Sequence, residues 1–118
     1  MHDAAETGQR GEHIALKLAQ RLGWQPLMTN MPIAGGEADL VCTRQRGDRR
    51  EALVAEVKTR RGGLPDAARV SPRQLARLRK MAKHYAEIAA VDRVEMAVIL
   101  VGLEASGHST RWLPVDDF

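Results

Sequence analysis

Two short stretches hold the residue types that do chemistry. Gly36-Glu37-Ala38-Asp39-Leu40 places a carboxylate in an apolar run, and Ala52-Leu53-Val54-Ala55-Glu56-Val57-Lys58 sets a second carboxylate and a lysine around one valine. A strand repeats every two residues, so Glu56 and Lys58 share one face while Leu53, Ala55 and Val57 take the other. Between the two runs, Arg44-Gln45-Arg46-Gly47-Asp48-Arg49-Arg50 reads as a hairpin loop. Folding back on that loop brings Asp39 beside Glu56. Two close carboxylates repel, and burial raises the pKa of at least one. A hard divalent cation removes that cost and takes oxygen ligands. With a lysine alongside to orient a water or hold a phosphate oxygen, the set fits metal-assisted phosphodiester hydrolysis. The plainer reading makes Glu56 and Lys58 ordinary polar residues on a wet sheet face. Glu-x-Lys alone favours that reading, and Asp39 on the preceding strand brings the two level.

The elements that must position these residues follow from periodicity. Residues 8–22 predict a helix: Ile14, Leu18 and Leu22 repeat at four-residue spacing, and Ala15 and Ala19 widen the stripe. Gly23 is placed to end it. Gly8 and Gly11 fall on or near the apolar side and permit close approach to a sheet. Glu12 lies at the stripe's edge, where it either reaches toward the sheet or serves as a favourable acid in the first turn. His13 projects to the polar side. Residues 24–29 predict a short strand in which Pro26 marks an edge, and residues 30–36 a turn. Strands are expected at 37–43 and 51–58, with Glu37, Asp39 and Val41 on one face of the first. Residues 59–70, with Arg60, Arg61, Gly62, Gly63 and Pro65, read as a loop whose arginines can meet backbone phosphates.

Ser71, Pro72 and Gln74 then spell a capping box with proline at the first helical position. In the helix that follows, Leu75, Leu78, Ala82, Tyr85 and Ala89 form the apolar stripe. Arg73, Arg77, Lys80 and His84 form a nearly opposite one, with Arg79 and Lys83 on its flank. Gln74 lies between the faces and either turns its amide to the site or only caps the helix. Residues 93–101 are the strongest apolar strand and predict a covered, central position. A last strand is expected at 110–115. The order αβββαββ predicts an α/β domain, one mixed central sheet flanked by helices and spanning residues 1–118.

Composition narrows the partners. Of 118 residues, 44% are apolar and 28% charged, as in water-soluble globular chains. No apolar run is long enough to span a bilayer. The start of the chain carries acid and no apolar core, so it predicts no secretion signal. The single cysteine, Cys42, predicts a small buried apolar side chain, and a cytoplasmic location is the default. Thirteen Lys/Arg face four Asp/Glu between residues 44 and 83, whereas the rest of the chain has five against eleven. Fourteen of the eighteen basic residues are arginine, whose fork pairs with phosphate. A block this basic favours a polyanionic partner, the alternative being a solubilising surface. Trp24, Tyr85, Trp112 and Phe118 are not interleaved with basic residues, so no base-stacking platform is expected.

Taken together, Gly8-Gln9-Arg10-Gly11-Glu12 with Ala15, then Asn30, Gly36-Glu37-Ala38-Asp39-Leu40, Glu56-Val57-Lys58-Thr59-Arg60, Gln74 and the strand opening at Arg93 resemble a known family. It is the YraN-type, or UPF0102, family, related to archaeal Holliday junction resolvases of the PD-(D/E)xK, restriction-endonuclease-like superfamily. The resemblance covers most of residues 8–100. It implies Asp39 and Glu56 as metal-binding carboxylates, Lys58 as the catalytic lysine, Glu12 as the extra acid of the first helix, and Gln74 as a polar residue of the second. Ala38 replaces the family's usual isoleucine, Arg73 a lysine, and Arg93-Val94-Glu95 a common Arg-Phe-Asp. None of these removes a ligand. The expected function is a Mg²⁺- or Mn²⁺-dependent DNA endonuclease. Asp39 and Glu56 would bind the metal with the Val57 carbonyl and with Glu12 through water. Arg60, Arg61, Arg73, Arg77 and Lys80 would contact backbone phosphates. Preference for branched DNA follows from the resemblance alone, and junction cleavage would need two sites, hence a homodimer. The alternative is a non-catalytic nucleic-acid-binding module that keeps the nuclease fold. A third is a protein-interaction domain whose basic face meets an acidic partner.

Overall fold

A computed structural model describes residues 4–117. Helix α1 covers Ala4–Arg21, four residues longer at its start than the periodicity predicts. Its end is as expected. Gly23 takes a left-handed φ of 95°, its N–H donates to Gln20 O at 3.0 Å, and the Trp24 N–H donates to Ala19 O at 3.0 Å. This pair of bonds closes a helix on carbonyls that would otherwise lack partners. The buried row of α1 is not Ile14-Leu18-Leu22 but Gly11, Ala15 and Ala19. Leu22 is 51% exposed. The small side chains lie deepest because the helix rides close to the sheet. A Cβ at Gly11 would overlap the Thr59 side chain.

Strands β1 (Gln25–Ile33), β2 (Gly36–Arg46), β3 (Arg49–Arg61), β4 (Arg93–Glu104) and β5 (Gly107–Pro114) form one sheet in chain order. Only β3 and β4 run parallel; the other neighbours are antiparallel. Helix α2 (Pro72–Ile88) makes the crossover between those two strands. The expected αβββαββ order of a restriction-endonuclease-like fold is therefore the observed one. Alternation along β3 splits the core in two. Leu53 and Ala55 pack with Leu40, Cys42, Ile99 and the Ala15-Ala19 row of α1. Ala52 and Val54 pack with Val41, Val98, Leu100 and the Leu75, Leu78, Met81, Ala82 and Tyr85 face of α2. Burying a side chain such as Leu78 contributes about 1.5–3 kcal/mol. Among the described residues, no helix is long and apolar enough to cross a membrane.

Several boundaries differ from the sequence expectation. β1 runs on through residues 30–33, which were expected to turn, because Asn30 enters the left-handed region at φ 51° and the ladder continues past it. The hairpin loop expected at 44–50 shrinks to a two-residue turn, Gly47-Asp48, closed by the Arg46–Arg49 pair. Gly47 supplies the φ of 61° that such a turn demands. Thr59, Arg60 and Arg61 are not in a loop. They extend β3, held by parallel pairing to Val101, Gly102 and Leu103. Met81 joins the predicted stripe of α2. β5 begins three residues earlier than expected and stops at Pro114.

A candidate active site where two strands part

Pairing between β2 and β3 stops at Leu40–Ala55. Beyond that point β2 stays with β1 through Ala38–Met31, and β3 stays with β4 through Glu56–Val98. Asp39 and Glu56 are the next residues on the two parting strands. The Asp39 Oδ2 accepts the Val57 N–H at 2.8 Å. A side-chain carboxylate thus takes the acceptor role that the separated backbone no longer supplies.

Glu56 is only 5% exposed. Burial first, then the Asp39 charge and a hydrogen bond with the Asp39 carboxyl, push its pKa up to about 7, against the opposing pull of Lys58 and Arg77. Glu12 lies half-buried on α1. Its pKa is raised by burial and then by Asp39, with Glu37 adding a smaller push and a hydrogen bond from Asn30 opposing them. Of its two predicted placements, Glu12 therefore takes the one facing the sheet. The Asp39 charge thus acts on both Glu12 and Glu56. Among the described residues, no group of three or more His, Cys, Asp or Glu side chains sits close enough to form a ready-made metal cage. The donor set still fits a hard cation, since Asp39 and Glu56 present oxygens whose mutual repulsion such an ion would relieve.

Lys58 follows on the same face of β3 and opens into a cavity of about 520 Å³. Arg60, Arg69 and Gln74 line it with Lys58, together with one acid, Asp66, and the apolar Val70 and Leu100. The predicted capping box is present in full, with Ser71 Oγ accepting the Gln74 N–H at 3.1 Å and Gln74 Oε1 accepting the Ser71 N–H at 2.9 Å. Gln74 therefore caps the helix and walls the cavity at once.

The sequence profile of the uncharacterised protein family UPF0102 matches residues 11–101, from the buried glycine of α1 to the middle of β4. The chain belongs to the UPF0102 family. A UPF0102 protein of Synechococcus sp. (strain CC9902) is 36% identical over 114 residues, covering 92% of this chain and 91% of the relative. A UPF0102 protein of Porphyromonas gingivalis is 36% identical over 115 residues, covering 94% and 82%. One of Shewanella woodyi is 34% identical over 113 residues, covering 92% and 89%.

Within this UPF0102 chain the five predicted phosphate-contacting residues spread over neighbouring cavities. Arg60 lines the cavity beside Lys58. Arg61 turns to the α1 side, where its Nε donates to Thr7 Oγ1 at 3.1 Å. Arg73, Arg77 and Lys80 of α2 line a second cavity beside Ala34-Gly35-Gly36, and Arg77 also reaches Glu56, Nη2 to Oε1, at 3.5 Å. Part of the basic block is used internally. Arg44 Nε lies 2.9 Å from Glu51 Oε1, and its guanidinium sits 4.0 Å over the Trp24 ring.

Two residues join the site beyond those given a role by the sequence: Arg69, and Asn30, which the family resemblance includes without a role. Arg69 was hidden in a stretch without periodicity and reaches the cavity through a short 3-10 turn, Ala67–Arg69. Asn30 lies between register pairs Thr29–Leu40 and Met31–Ala38, hence opposite Asp39, and bonds to Glu12. Its usable signal was residue type, since asparagine is among the few side chains that enter left-handed backbone readily.

Proposed function

We propose that this chain is a metal-dependent endonuclease hydrolysing DNA phosphodiesters, with branched or junction DNA as its preferred substrate. The observation that carries the reading is the Asp39–Glu56 carboxylate pair at the parting of β2 and β3, with Lys58 two residues on, opening into a cation-rimmed cavity. Asp39 and Glu56 are the residues that would hold Mg²⁺ or Mn²⁺, with the Val57 carbonyl and with Glu12 through water. Such an ion polarises the phosphodiester and lowers the pKa of water. The Lys58 ammonium holds the attacking water or stabilises negative charge on the phosphate oxygens. Arg60 and Arg69 draw the flanking backbone into the cavity, and Arg73 and Lys80 contact phosphates along α2. Cutting both strands of a junction calls for a homodimer.

A second reading, a nucleic-acid-binding module with the nuclease fold and no activity, is favoured by one observation: Arg77 already pairs with Glu56 as in a structural ion pair. The two readings separate in one experiment. Linear, flapped and four-way-junction DNA are incubated with Mg²⁺ or Mn²⁺ and the wild type, Asp39→Asn or Lys58→Ala. The nuclease reading expects metal-dependent cutting that falls about 10²-fold or more in each variant, the usual scale for losing an electrostatic stabiliser. DNA binding without cutting by the wild type establishes the module instead.

A further inference from the structure

Arg77 belongs by periodicity to the exposed basic face of α2, yet its guanidinium turns inward to Glu56. The two partners are unequal. The Glu56 side chain is 7% exposed and fixed in the sheet, whereas that of Arg77 is 53% exposed. The arginine stem passes Gly36, where an added methyl group would meet its Cδ at an ordinary contact distance of 3.7 Å. With half of its side chain exposed, Arg77 is the partner that can leave this pair. The buried carboxylate cannot move, and it also faces Asp39 and Lys58.

A cation bound between Asp39 and Glu56 would supply the charge that Arg77 supplies in its absence. It would also place a like charge beside the guanidinium, and like charges at this range repel. Arg77 then has one other use within reach. It shares a cavity wall with Arg73 and Lys80 on the same helix face, where a polyanion would lie. A cation at Glu56 would free for a phosphate the guanidinium edge that the carboxylate otherwise holds. We infer that Arg77 alternates between Glu56 in the cation-free protein and a nucleic-acid phosphate once the cation is bound, so that cation uptake and DNA binding reinforce each other. The inference rests on the metal-dependent reading above. Because binding free energies are linked, each ligand must tighten the other by the same factor.

The test compares wild type, Arg77→Gln and Arg79→Gln. The last loses the same charge from an exposed position on the same helix. Mn²⁺ is titrated calorimetrically into the EDTA-stripped, DNA-free proteins. A labelled four-way junction is then titrated by anisotropy with and without Ca²⁺. Arg77→Gln is expected to bind Mn²⁺ about fivefold more tightly than wild type, at the low end of linked-site effects, with Arg79→Gln unchanged. Ca²⁺ is expected to tighten junction binding by wild type about tenfold, and Arg77→Gln to lose most of that gain. Equal Mn²⁺ affinity in the two variants, or an undiminished Ca²⁺ gain in Arg77→Gln, overturns the inference and leaves the metal reading standing. A wild type that takes up no Mn²⁺ overturns both.

Discussion

Glu51 and Glu56 lie on one strand, are 3% and 5% exposed, and meet opposite fates. Glu51 accepts a hydrogen bond from Arg44 and lies near Arg46 and Arg93, which together hold its carboxyl below the ordinary 4.5 despite burial. Glu56 faces another acid, and its carboxyl rises. The depressed group stabilises the fold in full above its unfolded pKa and loses that contribution as pH falls through the folded one. Glu51→Gln is therefore expected to be less stable than wild type at pH 7, with the gap closing as the pH is lowered below 4.5; urea melts across that range give the readout. A constant gap would show that Glu51 acts by packing alone. Cys42 behaves as its sequence position suggested. It is fully buried, and burial pushes its thiol up to about 12. Glu51 had no such signal. Its partners sit in a basic block that reads as surface, and only the hairpin register, which pairs Arg44 with Glu51, turns that arginine inward.

What could be read from the chain at the level of elements depended on how local the deciding contacts are. The start of α2 was legible because its cap is written within four residues, Ser71 to Gln74. The far end of β3 was not, because Arg60 and Arg61 become strand only by pairing with Gly102 and Leu103, some forty residues on. The pairing of Asp39 with Glu56 was legible from alternation and a hairpin. The reach of Arg77 was not, since it depends on where the whole of α2 settles against the sheet. On α1, sequence spacing marks Gly8 and Gly11 alike for close approach to the sheet, and only Gly11 makes that approach. At Gly11 a Cβ would collide with Thr59, while at Gly8 nothing lies within 4 Å. Gly11→Ala is expected to destabilise by about 1–3 kcal/mol, the cost of overpacking. Gly8→Ala is expected to stabilise by up to about 1 kcal/mol through helix propensity. Denaturant midpoints decide, and equal shifts of one sign would mean that α1 does not ride on Thr59.

Across the whole molecule, which extends 44 × 29 × 25 Å, one parallel joint between β3 and β4 unites an antiparallel three-strand unit with a two-strand one. The sequence's charge asymmetry survives folding only in part. Arg44 and Arg46 are spent on Glu51, while Arg60, Arg69, Arg73 and Lys80 remain around the two cavities. The parting of β2 and β3 also sets an order of events in time. Asp39 meets Val57 across 18 residues through a tight hairpin, whereas Arg77 can reach Glu56 only after the crossover helix has docked. A hairpin closes outward from its own turn, whereas docking α2 also needs β4, which follows it in the chain, to be in place beside β3. The two acids are therefore expected to come together before their arginine arrives, with the growing hairpin carrying their repulsion alone. Refolding in EDTA is expected to slow as rising pH ionises Glu56, whose carboxyl the neighbouring Asp39 charge pushes up. Glu56→Gln should refold at a rate insensitive to that change. Stopped-flow refolding of the two proteins would show it, and a wild-type rate that does not move with pH would mean that α2 docks before the acids meet.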